Sequence, residues 1–112
     1  MRQSFINWLI NQKGYPVSLM ANEVSIHLNE NLLRCDTVIF SSDQTAPQII
    51  IEYKAPYIEI SQDVFNQIVA YNMVLQVKYL IVTNGITHYC CEIDYFNFTY
   101  SFLKEIPSYH SL

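Results

Sequence analysis

Apolar and polar positions change their period repeatedly along this chain, and each change marks an element. In RQSFINWLINQ, Arg2 to Gln12, the pairs Phe5/Leu9 and Ile6/Ile10 stand four apart, the spacing of an amphipathic helix that Gly14 and Pro16 close. A short helical turn is expected over Val17 to Ala21. From Glu23 the period becomes two: Val24, Ile26 and Leu28 alternate with Ser25, His27 and Asn29, which predicts a half-buried strand. A turn at Asn29 to Asn31 leads into a second strand, Leu33 to Phe40. A polar turn, Ser41 to Ala46, leads into a third, Pro47 to Ala55. Its run Ile49-Ile50-Ile51 suits the middle of a sheet buried on both faces.

Ile60-Ser61-Gln62-Asp63 then has the layout of a helix start, with Ser61 as cap, Asp63 in the first turn and Ile60 able to staple onto Phe65. The helix is expected to run to about Gln76, with Val64, Ile68, Tyr71 and Leu75 on one stripe. Tyr79 to Thr83 is a β-branched buried strand. Asn84-Gly85 is the strongest hairpin signal in the chain, leading into Ile86 to Ile93, and a last strand is expected over Phe98 to Phe102. Three sequential strands with short connections predict an antiparallel meander, and strand, crossover helix and strand predict a parallel pair beside it. The expected fold is α/β: a mixed sheet flanked by helices, as one domain over residues 1–112.

Composition sharpens this. The chain has 112 residues, 51% hydrophobic and 14% charged, with two glycines, so few charges stand where chance put them. No apolar run approaches the roughly 20 residues that span a membrane, and the N-terminus lacks a signal-peptide layout. Cys35, Cys90 and Cys91 have no zinc-like spacing and read as reduced, buried thiols of a cytoplasmic protein. The net charge of −4, with six scattered basic residues, excludes binding nucleic acid by a broad basic surface. A metal ion, a partner chain or a further segment would have to supply the attraction.

The carboxylates fall in an informative place. Glu23 opens the first strand, Asp36 interrupts the second and Glu52 ends the third, so three neighbouring strands can bring three acids together. Lys54 lies two residues beyond Glu52, on the same face of a strand. Clustered carboxylates among apolar residues raise one another's pKa, and a divalent cation resolves that conflict. Magnesium takes hard oxygen ligands and keeps several waters, so two or three carboxylates suffice. Lys54 can orient or help deprotonate a water, or stabilise charge on a phosphate. Taken singly, Glu52 and Lys54 would be a surface salt bridge and Asp36 a strand-edge acid; taken together they read as a site.

Asp36, fifteen intervening residues and Glu52-Tyr53-Lys54 resemble the D…(D/E)-x-K core of the PD-(D/E)xK nuclease superfamily, with Cys35 where that pattern often has proline. The ordered set is similar to the N-terminal nuclease domain of type I restriction enzyme R subunits. It comprises Arg34 to Val38, Ile51 to Pro56, Asp63 to Tyr71 and Tyr79 to Gly85, and the resemblance covers about Tyr15 to Ile93. It implies a restriction-endonuclease-like αβββαβ core. It implies that Asp36 and Glu52, with the Tyr53 carbonyl, are Mg²⁺ or Mn²⁺ ligands and that Lys54 is the catalytic lysine. Glu23 would assist metal or water. Gln67 and Tyr71 match the QxxxY signature, four apart on one helical face.

The expected function is therefore metal-dependent hydrolysis of DNA phosphodiester bonds, with other restriction-modification subunits as partners. The rival is a nuclease-fold binding or accessory subunit without independent cleavage, which the acidic charge and small size favour. A plain interaction protein would make the acid-lysine set accidental. A homodimer stays open, as does a missing N-terminal extension. His27, His88 and His110 have no ligand spacing and receive no role. The aromatics from Tyr95 to Tyr109 read as core and edge-strand packing.

Overall fold

Ile49, Ile50 and Ile51 are all within 1% of complete burial, and they occupy the middle of the third strand of a six-stranded sheet. A computed structural model describes residues 2–28, 30–43, 46–73, 76–97 and 99–112, without the side chains at positions 26, 28, 31, 33 and 70–73. Helix α1 (Arg2–Lys13) and a 3-10 turn (Val17–Leu19) lead into β1 (Met20–Leu28), β2 (Asn31–Phe40) and β3 (Pro47–Tyr53). Helix α2 (Gln62–Met73) crosses to β4 (Tyr79–Thr83), followed by β5 (His88–Asp94) and β6 (Thr99–Leu103). The strands lie in sequence order, all neighbours antiparallel except β3 and β4. The meander and the parallel pair are as the sequence predicts.

Strand alternation divides the core in two. Ile39, Ile49, Ile51, Tyr79, Ile81 and Cys90 face α1 and pack with Phe5 and Leu9. Val38, Ile50, Leu80, Val82 and Cys91 face α2 and pack with Phe65 and Val69. Each fully buried isoleucine or valine contributes about 1.5–3 kcal/mol, so β3 and β4, apolar on both faces, are the frame to which the rest is attached.

Several boundaries differ from expectation. β1 begins at Met20 rather than Glu23, because the helical turn stops at Leu19 and pairing with β2 starts with Met20↔Ile39. β3 ends at Tyr53, so Lys54 lies just past the strand, although its N–H still donates to the Thr83 carbonyl at 2.8 Å. The β4–β5 connection is a four-residue loop, since Thr83 pairs with His88. The Asn84 side chain holds that loop, its Oδ1 accepting from the N–H groups of Ile86 and Thr87 at 2.9 and 2.7 Å, while Gly85 takes a φ of 88°. At the head of α2 the Val64 N–H donates to Ser61 Oγ at 3.3 Å and Ile60 packs against the Phe65 cluster, as the cap and staple require. The inward alternation of Ile26 and Leu28, the Asn29 turn, the stripe positions Tyr71 and Leu75, and the strand start at Phe98 lie outside the described residues or side chains.

Candidate metal and phosphodiesterase site

Asp36 and Glu52 meet beside a level at which β1 and β2 both break their alternation. Thr37 faces α1: its Oγ1 donates to Asn22 Oδ1 at 2.7 Å and lies 3.2 Å from the Tyr53 hydroxyl, whose ring packs edge-on to Phe5. Regular pleating would put Cys35 on that same face. Instead Cys35, with Val24, joins the α2-side core. The pairing runs on unshifted, Asn22↔Thr37 and then Val24↔Cys35, so both strands turn over between those pairs, at Glu23 and Asp36. Glu23 takes a φ of 56°, a left-handed backbone that non-glycine residues rarely adopt.

The consequence for Asp36 is direct. The β2–β3 pairing is regular only up to Thr37↔Ile51, beyond which the Tyr53 N–H, facing β2, needs another acceptor. Asp36 Oδ2 supplies it at 2.8 Å. Extending the register by one step puts Asp36 opposite Glu52, which projects from the end of β3 on the α2 face together with Lys54.

The electrostatics of the pair are unfavourable as they stand. Burial, then the Asp36 charge and a hydrogen bond with Asp36, push Glu52 up to about 8, and Lys54 offsets only part of this. Glu52 Oε1 is buried without a hydrogen-bond partner. No ion pair joins Glu52 to Lys54 among the described residues, so a surface salt bridge is not what holds them. Beside them the Cys35 thiol is pushed up to about 11 by burial and then by the charges of Glu52 and Asp36, which keeps it protonated. Two carboxylates, Asp36 fixed by a backbone N–H and Glu52 with an unpartnered oxygen, are hard donors in the number that a magnesium-sized ion uses.

A family model described as type I restriction enzyme R protein N terminus (HSDR_N) matches residues 1–107. The chain belongs to that family. Among solved structures it is similar in fold to a fragment described as belonging to an HsdR subunit of a type I restriction enzyme from Vibrio vulnificus YJ016. That match has a TM-score of 0.59 and 18% identity over 95% of this chain and 22% of the other. The chain thus spans about a fifth of the length of that relative. No curated protein matches it.

The remaining expected site residues of this R-protein N-terminus family member are placed unevenly. Glu23 lines a cleft of about 290 Å³ with Arg34, Cys35 and Asp36, but its carboxylate is exposed and bonded to Arg2 at 3.1 Å. The three-acid convergence is therefore a two-acid pair with the third acid held at the lip. Among the described residues no three His, Cys, Asp or Glu side chains cluster as a metal site. Gln67 is exposed on α2, the helix that covers the Glu52 face, and no hydrogen bond ties it to the pair. The Tyr71 side chain lies outside the described ones. Asn22 and Thr37, which fix the position of Tyr53, gave no sequence signal beyond a polar residue inside an apolar strand. Arg2 gave none.

Proposed function

We propose that this chain is a metal-dependent phosphodiesterase of the PD-(D/E)xK kind, acting on DNA as the nuclease part of a type I restriction R subunit. One observation carries the reading: Asp36 and Glu52 stand together at the end of β3, with Glu52 Oε1 buried and unpartnered. A protein that needed only stability would do better with a glutamine or a hydrophobe there, because a buried carboxylate beside another is costly.

Asp36, Glu52 and the Tyr53 carbonyl would hold Mg²⁺ or Mn²⁺, which supplies Lewis-acid neutralisation of phosphate charge. Asp36 is already oriented by the Tyr53 N–H, which brings its carboxylate from β2 against the Glu52-Tyr53 backbone of β3. Glu52 must lose its proton to act, and the Lys54 ammonium on its face favours that ionised form. Lys54 then orients the attacking water or balances charge on the phosphorus oxygens. In the reaction the water oxygen bonds to phosphorus and gives up a proton to solvent, the ester bond to the leaving sugar oxygen breaks, and that oxygen takes a proton from solvent. Glu23, released from Arg2, would be within the same cleft to assist, with Gln67 and Tyr71 contributing from α2.

The acidic net charge of −4 favours a second reading, in which the site is kept but cleavage needs other restriction-modification subunits. Calorimetry tests the metal site: Mn²⁺ binding that weakens strongly in Asp36→Ala and Glu52→Ala supports it, and equal affinity in all three proteins refutes it. Plasmid nicking with Mn²⁺ tests cleavage. Activity that disappears in Lys54→Ala supports the enzyme, whereas identical background in wild type and Lys54→Ala leaves the accessory role.

A further inference from the structure

The carboxyl ends of the parallel strands β3 and β4 open on a second cavity, on the α1 side of the sheet. It encloses about 390 Å³ between α1, the segment after β3 and the β4–β5 loop, with Phe5, Trp8, Pro56, Gly85, Ile86 and His88 in its walls. Crevices beyond the carboxyl ends of parallel strands are where open α/β sheets take ligands. The walls here are mainly rings and loop residues, with Ser4 and Asn84 as their polar members. The Trp8 and His88 rings lie within 21° of parallel, and Phe5 sits 5.7 Å from Trp8 and 5.0 Å from His88, centroid to centroid. Trp8 is 38% and Ile86 74% exposed, so apolar surface stays open beside a core that had room for neither.

His88, which sequence spacing left without a role, is anchored through one ring nitrogen. Thr83 Oγ1 accepts the Gly85 N–H at 3.0 Å and lies 2.5 Å from His88 Nδ1. That contact occupies Nδ1 and leaves Nε2 as the ring's remaining hydrogen-bonding atom. Burial lowers the pKa of the ring, which agrees with a neutral imidazole. Thr83 also links the cavity to the carboxylates, because its carbonyl accepts the Lys54 N–H. The cavity and the acid pair therefore occupy opposite faces of the sheet beside the end of β3.

Charge points the same way. A chain of net charge −4 gains little from phosphate contacts over a broad surface, whereas aromatic stacking binds any base without releasing counterions. We infer that this cavity stacks one unpaired nucleobase of the nucleic acid whose phosphate is handled at Asp36, Glu52 and Lys54. The inference rests on the proposed phosphodiesterase function for that phosphate. The rings offer a π-face and His88 Nε2 one hydrogen-bonding atom, which suits a flat heteroaromatic base with a polar edge. A paired base within a duplex cannot enter.

Trp8 is the single tryptophan of the chain, so its fluorescence reports on the cavity directly. In EDTA, a short single-stranded thymidylate oligomer should quench Trp8 and bind about tenfold more tightly than an abasic oligomer of equal phosphate count. Ile86→Glu, at an exposed loop position, and His88→Ala should each lose about tenfold in affinity for the thymidylate. Trp8→Ala, followed by anisotropy of a labelled oligomer, should do the same. Equal binding of abasic and thymidylate strands, or unchanged affinity in Ile86→Glu and Trp8→Ala, overturns the inference and leaves the cavity to an apolar side chain of a partner chain. Lys54→Ala separates the two proposals, since it should lose nicking and keep the quench. A wild type that shows base-dependent quenching but neither metal binding nor nicking would retain the stacking site and remove the phosphodiesterase.

Discussion

The two faces of the sheet treat buried polar groups differently. On the α1 face, among the described residues, each has a partner: Tyr15 donates to the Pro107 carbonyl at 2.6 Å, Thr37 bonds Asn22 and Tyr53, and Thr83 bonds His88 and Gly85. On the α2 face the Tyr95 hydroxyl is likewise bonded, to the Val77 carbonyl, but Glu52 Oε1 is not. Paired polar groups hold structure in place, while an orphaned carboxylate oxygen next to a second carboxylate costs stability and must be kept for another reason. The difference separates residues that build the fold from residues that the fold carries.

The sharpest way to break this contrast is to compare neighbours on β3. Ile50→Ala should cost about 2–5 kcal/mol in denaturant unfolding, since it empties a fully buried site on the α2 face. Glu52→Gln, two residues on, should cost nothing or stabilise the metal-free protein. A large loss in Glu52→Gln would mean that the carboxylate is structural after all.

Next in size is the pH dependence of the metal-free protein. Glu52 is raised in the folded state from the ordinary carboxylate value of 4.5 to about 8, so the folded form holds the proton more tightly than the unfolded form. Its contribution is fully present below pH 4.5 and is lost as pH rises through about 8. Thermal melts in EDTA should show stability falling across that window by on the order of a few kcal/mol. Glu52→Gln should remove the fall, and a wild-type curve parallel to that of the variant would refute the assigned burial.

Thr37→Val probes the satisfied face. It leaves Asn22 Oδ1 and the Tyr53 hydroxyl without their shared partner and should cost about 1–3 kcal/mol, measured by chemical denaturation. The smallest effect is expected at the turnover itself. Glu23→Gly relieves a left-handed backbone at the loss of an exposed ion pair with Arg2, and should stabilise by about 1 kcal/mol or less. A clear destabilisation would show that the Arg2–Glu23 contact, rather than backbone strain, dominates there.

Much of this was legible in residue order. The triple isoleucine, the capped helix after Ser61 and the Asn84-Gly85 loop each carry a local signal that tertiary contacts only reinforce. The pairing of Asp36 with Glu52 was legible too, because a meander sets the second strand beside the third, and the register that puts Thr37 opposite Ile51 brings Asp36 next to Glu52. Glu23 was not. The turnover that lets it point outward to Arg2 depends on the α1 face claiming Asn22 and Thr37 while the α2 face claims Val24 and Cys35. No two-residue period can announce its own interruption. His88 was missed for a related reason: its partners Trp8 and Thr83 come from α1 and β4, and its own neighbours give no ligand spacing.

Periodicity and turn chemistry, being local, thus determined which segments are strands and helices and that Asp36 and Glu52 lie on neighbouring strands. The tertiary structure alone decided that Glu52 is buried deeply enough to resist ionisation, that Asp36 is anchored by a backbone N–H, and that Glu23 stays at the lip. Those outcomes depend on desolvation and on which face each side chain reaches, and both are set by elements far apart in the chain.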